Sequence, residues 1–301
     1  MEKEIIKIIE NKGPLTGNEI QDEIGGDPLP LWRICHLSNN IKVQTVGTRY
    51  MRLDRRIEGF ARLSPSILRE FLTYSVIGLP GHEKAIEVKA AETIAHIEEV
   101  SRIKCDMAYR IISSLADRIG DDYSIREQAC FIIAGDIVFN MAHDVPRPER
   151  STGKLVRGSD MDIVVVLDDH FPKSLMNRLD EEIYKEKYSY LLNPHLREEI
   201  DYIVKYIDRV REQIKFEDFK HMVACKILQE GTLLFGNEKL FHEIKCMLRD
   251  SGVMDKLRDM ESGAIEFREK ALQYLLKEDP EKIKQESLDL FYPTEESEEF
   301  E

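Results

Sequence analysis

The spacing of apolar positions changes several times along the chain, and each change marks an element. In the first 75 residues Ile5, Ile6, Ile8 and Ile9 line one side of a short helix, and Gly13-Pro14 ends it. Thr16-Gly17-Asn18-Glu19 has the form of a capping box, so a second helix begins there and closes at Gly25-Gly26. A third helix is expected around Leu31 to Leu37. Lys42 to Val46 and Arg49 to Leu53 read as two short strands, with Gly47-Thr48 as the two-residue turn of a hairpin. Three helices followed by a hairpin is the order of a winged helix. From His82 to about Ile119, Ile94, Ile97, Val100, Ile103, Met107, Ile111 and Leu115 recur in steps of three and four, which predicts one long amphipathic linking helix.

Strands and helices then alternate. Ala129 to Val138 is apolar around Gly135, Ile163 to Leu167 is an unbroken, mostly β-branched run, and Ile200 to Ile207 is strand-like. Between them Pro172 to Leu192 is helical. Phe216 to Gln229 predicts another helix, Thr232 to Phe235 a short strand, and helices continue to about Leu290. The expected class is α+β. It comprises a winged-helix-like module at 1–75, a linking helix at 76–120, a mixed sheet with flanking helices at 121–236, a helical subdomain at 237–290 and an acidic tail at 291–301, expected to be disordered.

Composition narrows the function. A chain of 301 residues suits more than one domain, and 33% charged residues with no run of roughly 18 apolar ones predicts a soluble protein without membrane contact. The opening Met-Glu-Lys-Glu lacks a signal-peptide layout. Five widely spaced cysteines without a CxxC predict free thiols and a cytoplasmic setting. The net charge of −14 excludes a surface given over to nucleic acid, so any triphosphate site has to be a local positive island. In the first module acids and bases roughly balance, and the third helix offers only Arg33 and His36 as polar reach. Docking of a protein partner or self-association is therefore expected ahead of DNA binding, which would rest on Arg49, Arg52, Arg55 and Arg56.

The chemistry concentrates in Gly158-Ser159-Asp160-Met161-Asp162. Side chains alternate along a strand, so Asp160 and Asp162 share one face while Met161 takes the other. Two neighbouring anions at the start of a buried strand call for a cation between them, and rigid oxygen ligands suit Mg²⁺ or Mn²⁺. Asp201, in the next predicted strand, is a third carboxylate; three acids on adjacent strands can hold two ions for in-line phosphoryl or nucleotidyl displacement. The segment His143 to Gly158 leads into this strand and carries Arg147, Arg150, Lys154 and Arg157, which predicts a clamp for a triphosphate or nucleic acid. Lys226, on the helix after Asp201, is a further candidate for phosphate.

These residues resemble the DNA polymerase β-like nucleotidyltransferase superfamily over about residues 123 to 236, including Leu228-Gln229-Glu230-Gly231-Thr232-Leu233-Leu234-Phe235-Gly236. By resemblance Asp160 and Asp162 match the metal-binding pair, and Asp201 matches the acid that positions the acceptor hydroxyl. Gly135, Asp136, Gly158 and Ser159 fall at the nucleotide-binding turns. The resemblance implies transfer of a nucleoside monophosphate from an NTP or dNTP, using two divalent ions, to a hydroxyl of nucleic acid, a nucleotide or a protein. Template-independent or signal-oligonucleotide synthesis, as in bacterial antiphage defence or toxin–antitoxin systems, is the favoured form. Transfer to protein or tRNA, with Tyr292 a reachable self-acceptor, is an alternative. Another is a DNA-binding regulator with a degenerate transferase domain, and a third is a scaffold that binds NTP without turnover. Two departures stand out. Asp136 occupies the place where the family has Ser, and the segment before Gly158 is longer than usual.

Overall fold

The computed structural model describes residues 1–119, 122–149 and 152–292. In chain order the elements are α1 (Glu2–Lys12), β1 (Leu15–Thr16), α2 (Gly17–Ile24), α3 (Pro28–Leu37), β2 (Lys42–Thr45), β3 (Tyr50–Leu53), β4 (Ala61–Ser64), α4 (Ile67–Thr73), β5 (Ser75–Gly78) and α5 (Glu83–Ile119). There follow α6 (Asp122–Gln128), β6 (Ala129–Ala134), a 3-10 turn (Gly135–Phe139), β7 (Pro146–Pro148), β8 (Leu155–Arg157), β9 (Met161–Leu167), α7 (Lys173–Leu192) and β10 (Ile200–Tyr206). The chain ends with α8 (Ile207–Gln213), α9 (Phe219–Glu230), β11 (Thr232–Gly236), α10 (Glu238–Asp250), α11 (Val253–Lys277), α12 (Pro280–Glu286) and a short 3-10 turn. Two compact units form. One takes residues 1–96 and the described residues from Met260 onward; the other takes residues 97–259. None of the described helices is long and apolar enough to cross a membrane. Of the tail expected at 291–301, Phe291 instead packs in the core of the first unit and Tyr292 donates its hydroxyl to Asp27, so neither is a free tail residue, while residues 293–301 lie outside the described residues.

In the first unit the capping box is complete. Glu19 N donates to Thr16 Oγ1 (3.3 Å) and Thr16 N to Glu19 Oε2 (2.7 Å). The hairpin expected at Gly47-Thr48 does not form. Strand β2 pairs with β5, from Lys42↔Gly78 to Thr45↔Ser75, and β3 pairs with β4 instead. The three-stranded sheet has the order β1-β5-β2. A local turn signal lost to a burial requirement: all four residues of β5 are buried, and such a strand needs ladder partners on both edges. Trp32, Phe71 and Phe291 anchor the core of this unit together with Ile5, Ile9 and Ile20.

The second unit is built on a mixed four-stranded sheet of order β10-β9-β6-β11. Strand β9 lies in its interior, parallel to β10 and antiparallel to β6, and all seven of its residues are buried. Met161, Ile163, Val165 and Leu167 enter the core formed with Ile112 and Leu115 of α5 and Leu179 and Ile183 of α7. By alternation, Asp162, Val164 and Val166 take the other face, where α9 and α10 pack on β6 and α8 on β10. Burying Ile163 through Leu167 stabilises the strand by roughly 1.5–3 kcal/mol per side chain. This apolar run fixes the place at which the chain can present its acids.

A buried ion pair ties α5 to the entry of the sheet. Lys104 Nζ donates to the Arg157 carbonyl (2.8 Å) and to Glu198, with side-chain exposures of 3% and 7% for the two residues. Replacing Lys104 with Met strands a buried carboxylate, so Lys104→Met is expected to lose about 3–5 kcal/mol in urea unfolding. The double variant Lys104→Met/Glu198→Leu should recover most of that loss. Equal losses in the single and double variants would contradict the coupling.

Candidate functional site

The second unit brings together the three carboxylates read from the chain. In the parallel ladder Asp201 stands opposite Asp162, and Met161 N donates to the Glu199 carbonyl one step earlier. One oxygen from each of Asp160, Asp162 and Asp201 lies within 4.8 Å of the other two. Two like unit charges at that separation repel by about 3.5 kcal/mol at an effective dielectric near 20, so three such pairs cost on the order of 10 kcal/mol if all are ionised. A fourth acid, Glu199, precedes Asp201 by two residues and joins the group from the same strand. It is buried, as is Asp162.

Two cations offset this crowding. Arg147, on β7, donates from Nε to the Gly158 carbonyl (2.7 Å). Its Nη2 lies 2.8 Å from Glu199 Oε2 and 3.6 Å from Asp160 Oδ2. Lys187, on α7, donates to Asp201 Oδ1 at 2.6 Å. Burial pulls the pKa of both cations down, but the surrounding carboxylates outweigh it and hold both above their ordinary values. Glu199 behaves oppositely. Burial raises its carboxyl to about 7, with Arg147 pulling it down and Asp160 and Asp201 pushing it up.

The glycines answer to close approach. A Cβ on Gly135, whose φ is +70°, would fall 2.1 Å from Asp162 Oδ2. One on Gly158, with φ of +63°, would fall 1.8 Å from the His143 carbonyl oxygen. Ser159 is held behind the acids. Its Oγ donates to Asp136 Oδ2 (2.6 Å) and accepts from His143 N (3.2 Å), while its own N–H bonds the His143 carbonyl (2.9 Å). Asp136 is thus a buried acceptor that locks Ser159 in place. Gly135 N donates to Glu230 Oε1 (3.3 Å), and Glu230 is paired with the buried Lys226. Lys226 therefore reaches the Gly135 turn by way of Glu230.

The segment before Gly158 contains the hairpin β7–β8, running from Pro146↔Arg157 to Pro148↔Leu155. Of its four candidate cations, Arg147 enters the acid cluster. Lys154 and Arg157 are exposed, and Arg150 lies outside the described residues. Reasoning from the sequence missed Glu199 and Lys187. The i, i+2 spacing of Glu199 and Asp201 repeats that of Asp160 and Asp162 and could have revealed the first. Nothing in the local pattern marks Lys187.

Residues 150–229 match the family model described as a nucleotidyltransferase domain. No curated protein matches the chain. The matched segment contains the three clustered acids, so the chain carries a nucleotidyltransferase domain with an acidic group able to hold a metal ion.

The displaced Glu199 carboxyl predicts a pH signature. The folded protein keeps a proton up to about 7 that the unfolded chain, with an ordinary value of 4.5, has already released. This group's contribution to stability is full below 4.5 and falls as pH rises through that window. Glu199→Gln removes the dependence, so its stability relative to the parent should improve between pH 4.5 and pH 8 in paired urea titrations. A constant difference across the range would count against the assignment.

Proposed function

We propose that this protein transfers a nucleoside monophosphate from a nucleoside triphosphate to a hydroxyl acceptor, with release of pyrophosphate. The Asp160, Asp162 and Asp201 cluster carries the reading, since three mutually repelling carboxylates on paired strands are arranged as oxygen ligands for Mg²⁺ or Mn²⁺. A divalent cation held there, or two, would supply Lewis acidity and neutralise the triphosphate's charge. The chain's own residues do the rest. Arg147 turns from Glu199 and Asp160 toward phosphate oxygens, a task that suits its fork of donors. Gly135 leaves room for Asp162 and for a phosphate beside the backbone. Asp201 Oδ1, now accepting from Lys187, orients the attacking hydroxyl and receives its proton.

A 3′-hydroxyl of a nucleotide or nucleic acid is the acceptor we favour. The exposed Lys154 and Arg157 on the β7–β8 hairpin support it as a positive rim next to an acidic centre. The first unit has a supporting role in this reading. Its helix–strand–helix–helix–strand order and its β1-β5-β2 sheet favour a winged-helix reading. Docking of a protein partner or a second copy fits that unit better than DNA, because Arg49 is tied to Glu70 (2.5 and 2.8 Å). One observation favours a second reading, a nucleotide-binding domain of weakened catalysis: Asp136 places a carboxylate where the related turn has a hydroxyl.

Incubation with each labelled NTP and dNTP, Mg²⁺ or Mn²⁺, and nucleotide, RNA, tRNA or protein acceptors tests the proposal. Pyrophosphate release with labelled product is expected. Asp162→Ala should lower the rate by several kcal/mol of transition-state stabilisation, on the order of 10³-fold. A product ladder identifies a polymerase, and label on protein identifies a modifying enzyme. Turnover unchanged in Asp162→Ala would overturn the assignment of the site. Nucleotide-induced stabilisation without any product would establish the weakened reading instead.

A further inference from the structure

The first unit contains a cleft whose charge the nucleotidyl-transfer reading does not use. Arg56 follows β3, Arg62 lies on β4, Arg268 lies on α11, and Ser66 caps α4; all four line one cavity of about 80 Å³. Arg62 and Arg268 are nine-tenths buried or more, at 7% and 5% exposure. Their counter-ions are shared. Asp54 takes both Arg56 (3.1 Å) and Arg62 (3.3 Å), while Glu70 takes both Arg49 and Arg268 (3.1 Å). The lining itself holds three guanidiniums, of which Arg62 and Arg268 are buried, and two carboxylates, Asp54 and Asp289.

Two buried guanidiniums are costly in an apolar setting, and Ile57, Ile67, Phe267 and Leu290 provide one here. Arg268 shows the cost directly: its Nε is buried and has no hydrogen-bond acceptor among the described residues. Burial is the largest influence pulling Arg268 below its ordinary pKa; Glu70 opposes it, and Arg49 and Arg62 add to it. Ser66 Oγ accepts from Arg69 N and keeps an O–H to donate. Guanidinium forks and a hydroxyl around a small polar opening match the equatorial oxygens of a tetrahedral anion. The volume is far below the roughly 300–1,000 Å³ of clefts that enclose drug-sized ligands, so a single phosphate group fits and a whole nucleotide does not.

We propose that the Arg56–Arg62–Arg268 cleft is an oxyanion site that binds a phosphoryl group, either a free inorganic ion or the terminal phosphate of a larger molecule. It lies wholly in the first unit and does not depend on the reading of the acidic centre.

The test is calorimetric titration of the full chain with inorganic pyrophosphate in EDTA, where the acidic cluster holds no divalent ion to attract an anion. Saturable binding is expected. It should weaken at least about tenfold in Arg56→Glu, a change at a side chain 44% exposed, and by a smaller factor in Arg268→Lys, which keeps the charge and loses the fork. Asp160→Asn/Asp162→Asn should bind as the parent does. Inorganic phosphate and ATP as competitors separate the two sources: competition by phosphate at comparable strength indicates the free ion, and markedly stronger competition by ATP indicates a terminal phosphate. Absence of saturable binding, or binding indifferent to both arginine variants, overturns the proposal. So does loss of binding in the aspartate double variant. Arg56-dependent binding of a duplex oligonucleotide without any of pyrophosphate would replace the small anion with a nucleic-acid backbone.

Discussion

Mutual repulsion among carboxylates is the constraint around which the second unit is organised. Asp160 and Asp162 at the head of β9, and Glu199 and Asp201 at the head of β10, form a two-by-two array because the strands are parallel and in register. An antiparallel pairing would put the two pairs of acids at opposite ends of the strands, and a one-residue slip would put them on opposite faces. The apolar runs behind them supply the energy that holds them together, and Arg147 and Lys187 return part of the electrostatic cost. What this leaves at the edge of the sheet is a group of three carboxylates able to hold a metal ion. Glu199 shows the balance locally, since burial raises its carboxyl above the ordinary range, Arg147 pulls it down, and Asp160 and Asp201 push it up.

Much of this was legible in the chain. The step from a strand period of two to the shared face of Asp160 and Asp162 needs only backbone geometry, and the five apolar residues after Asp162 announce an interior strand. The helices α2, α5 and α7 follow from a capping box and from apolar spacing. What escaped the reading depends on tertiary pairing. Strand β2 passes over the turn at Gly47 to join β5, some thirty residues on, because backbone groups in a buried strand must all be bonded. Lys187 reaches Asp201 only through the way α7 lies on β10. Lys226 looked like a spare cation, but Glu230 one helical turn later claims it.

Asp136 illustrates how a departure from a family pattern can be absorbed. Its carboxylate would oppose a phosphate if it faced outward. Instead it accepts a hydrogen bond from the Ser159 hydroxyl, and its effect is to fix the turn that leads into β9. The cost of a buried carboxylate is met by hydrogen bonding, and the serine is committed to structure. At the turn itself, Gly135 N donates to Glu230, which pairs with the buried Lys226.

Arg147 stands between Pro146 and Pro148 in the hairpin β7–β8. The ring of Pro146 fixes its own φ, and the residue before Pro148 is confined to extended backbone. Arg147 therefore has few main-chain states to lose when the chain folds, and few to explore afterwards. Its guanidinium, held by the Gly158 carbonyl and Glu199, is the part whose partners can change by side-chain rotation. The arm beside the acids is stiff at the shoulder, so exchanging one carboxylate for another anion falls to the torsions of the side chain and not to the hairpin backbone.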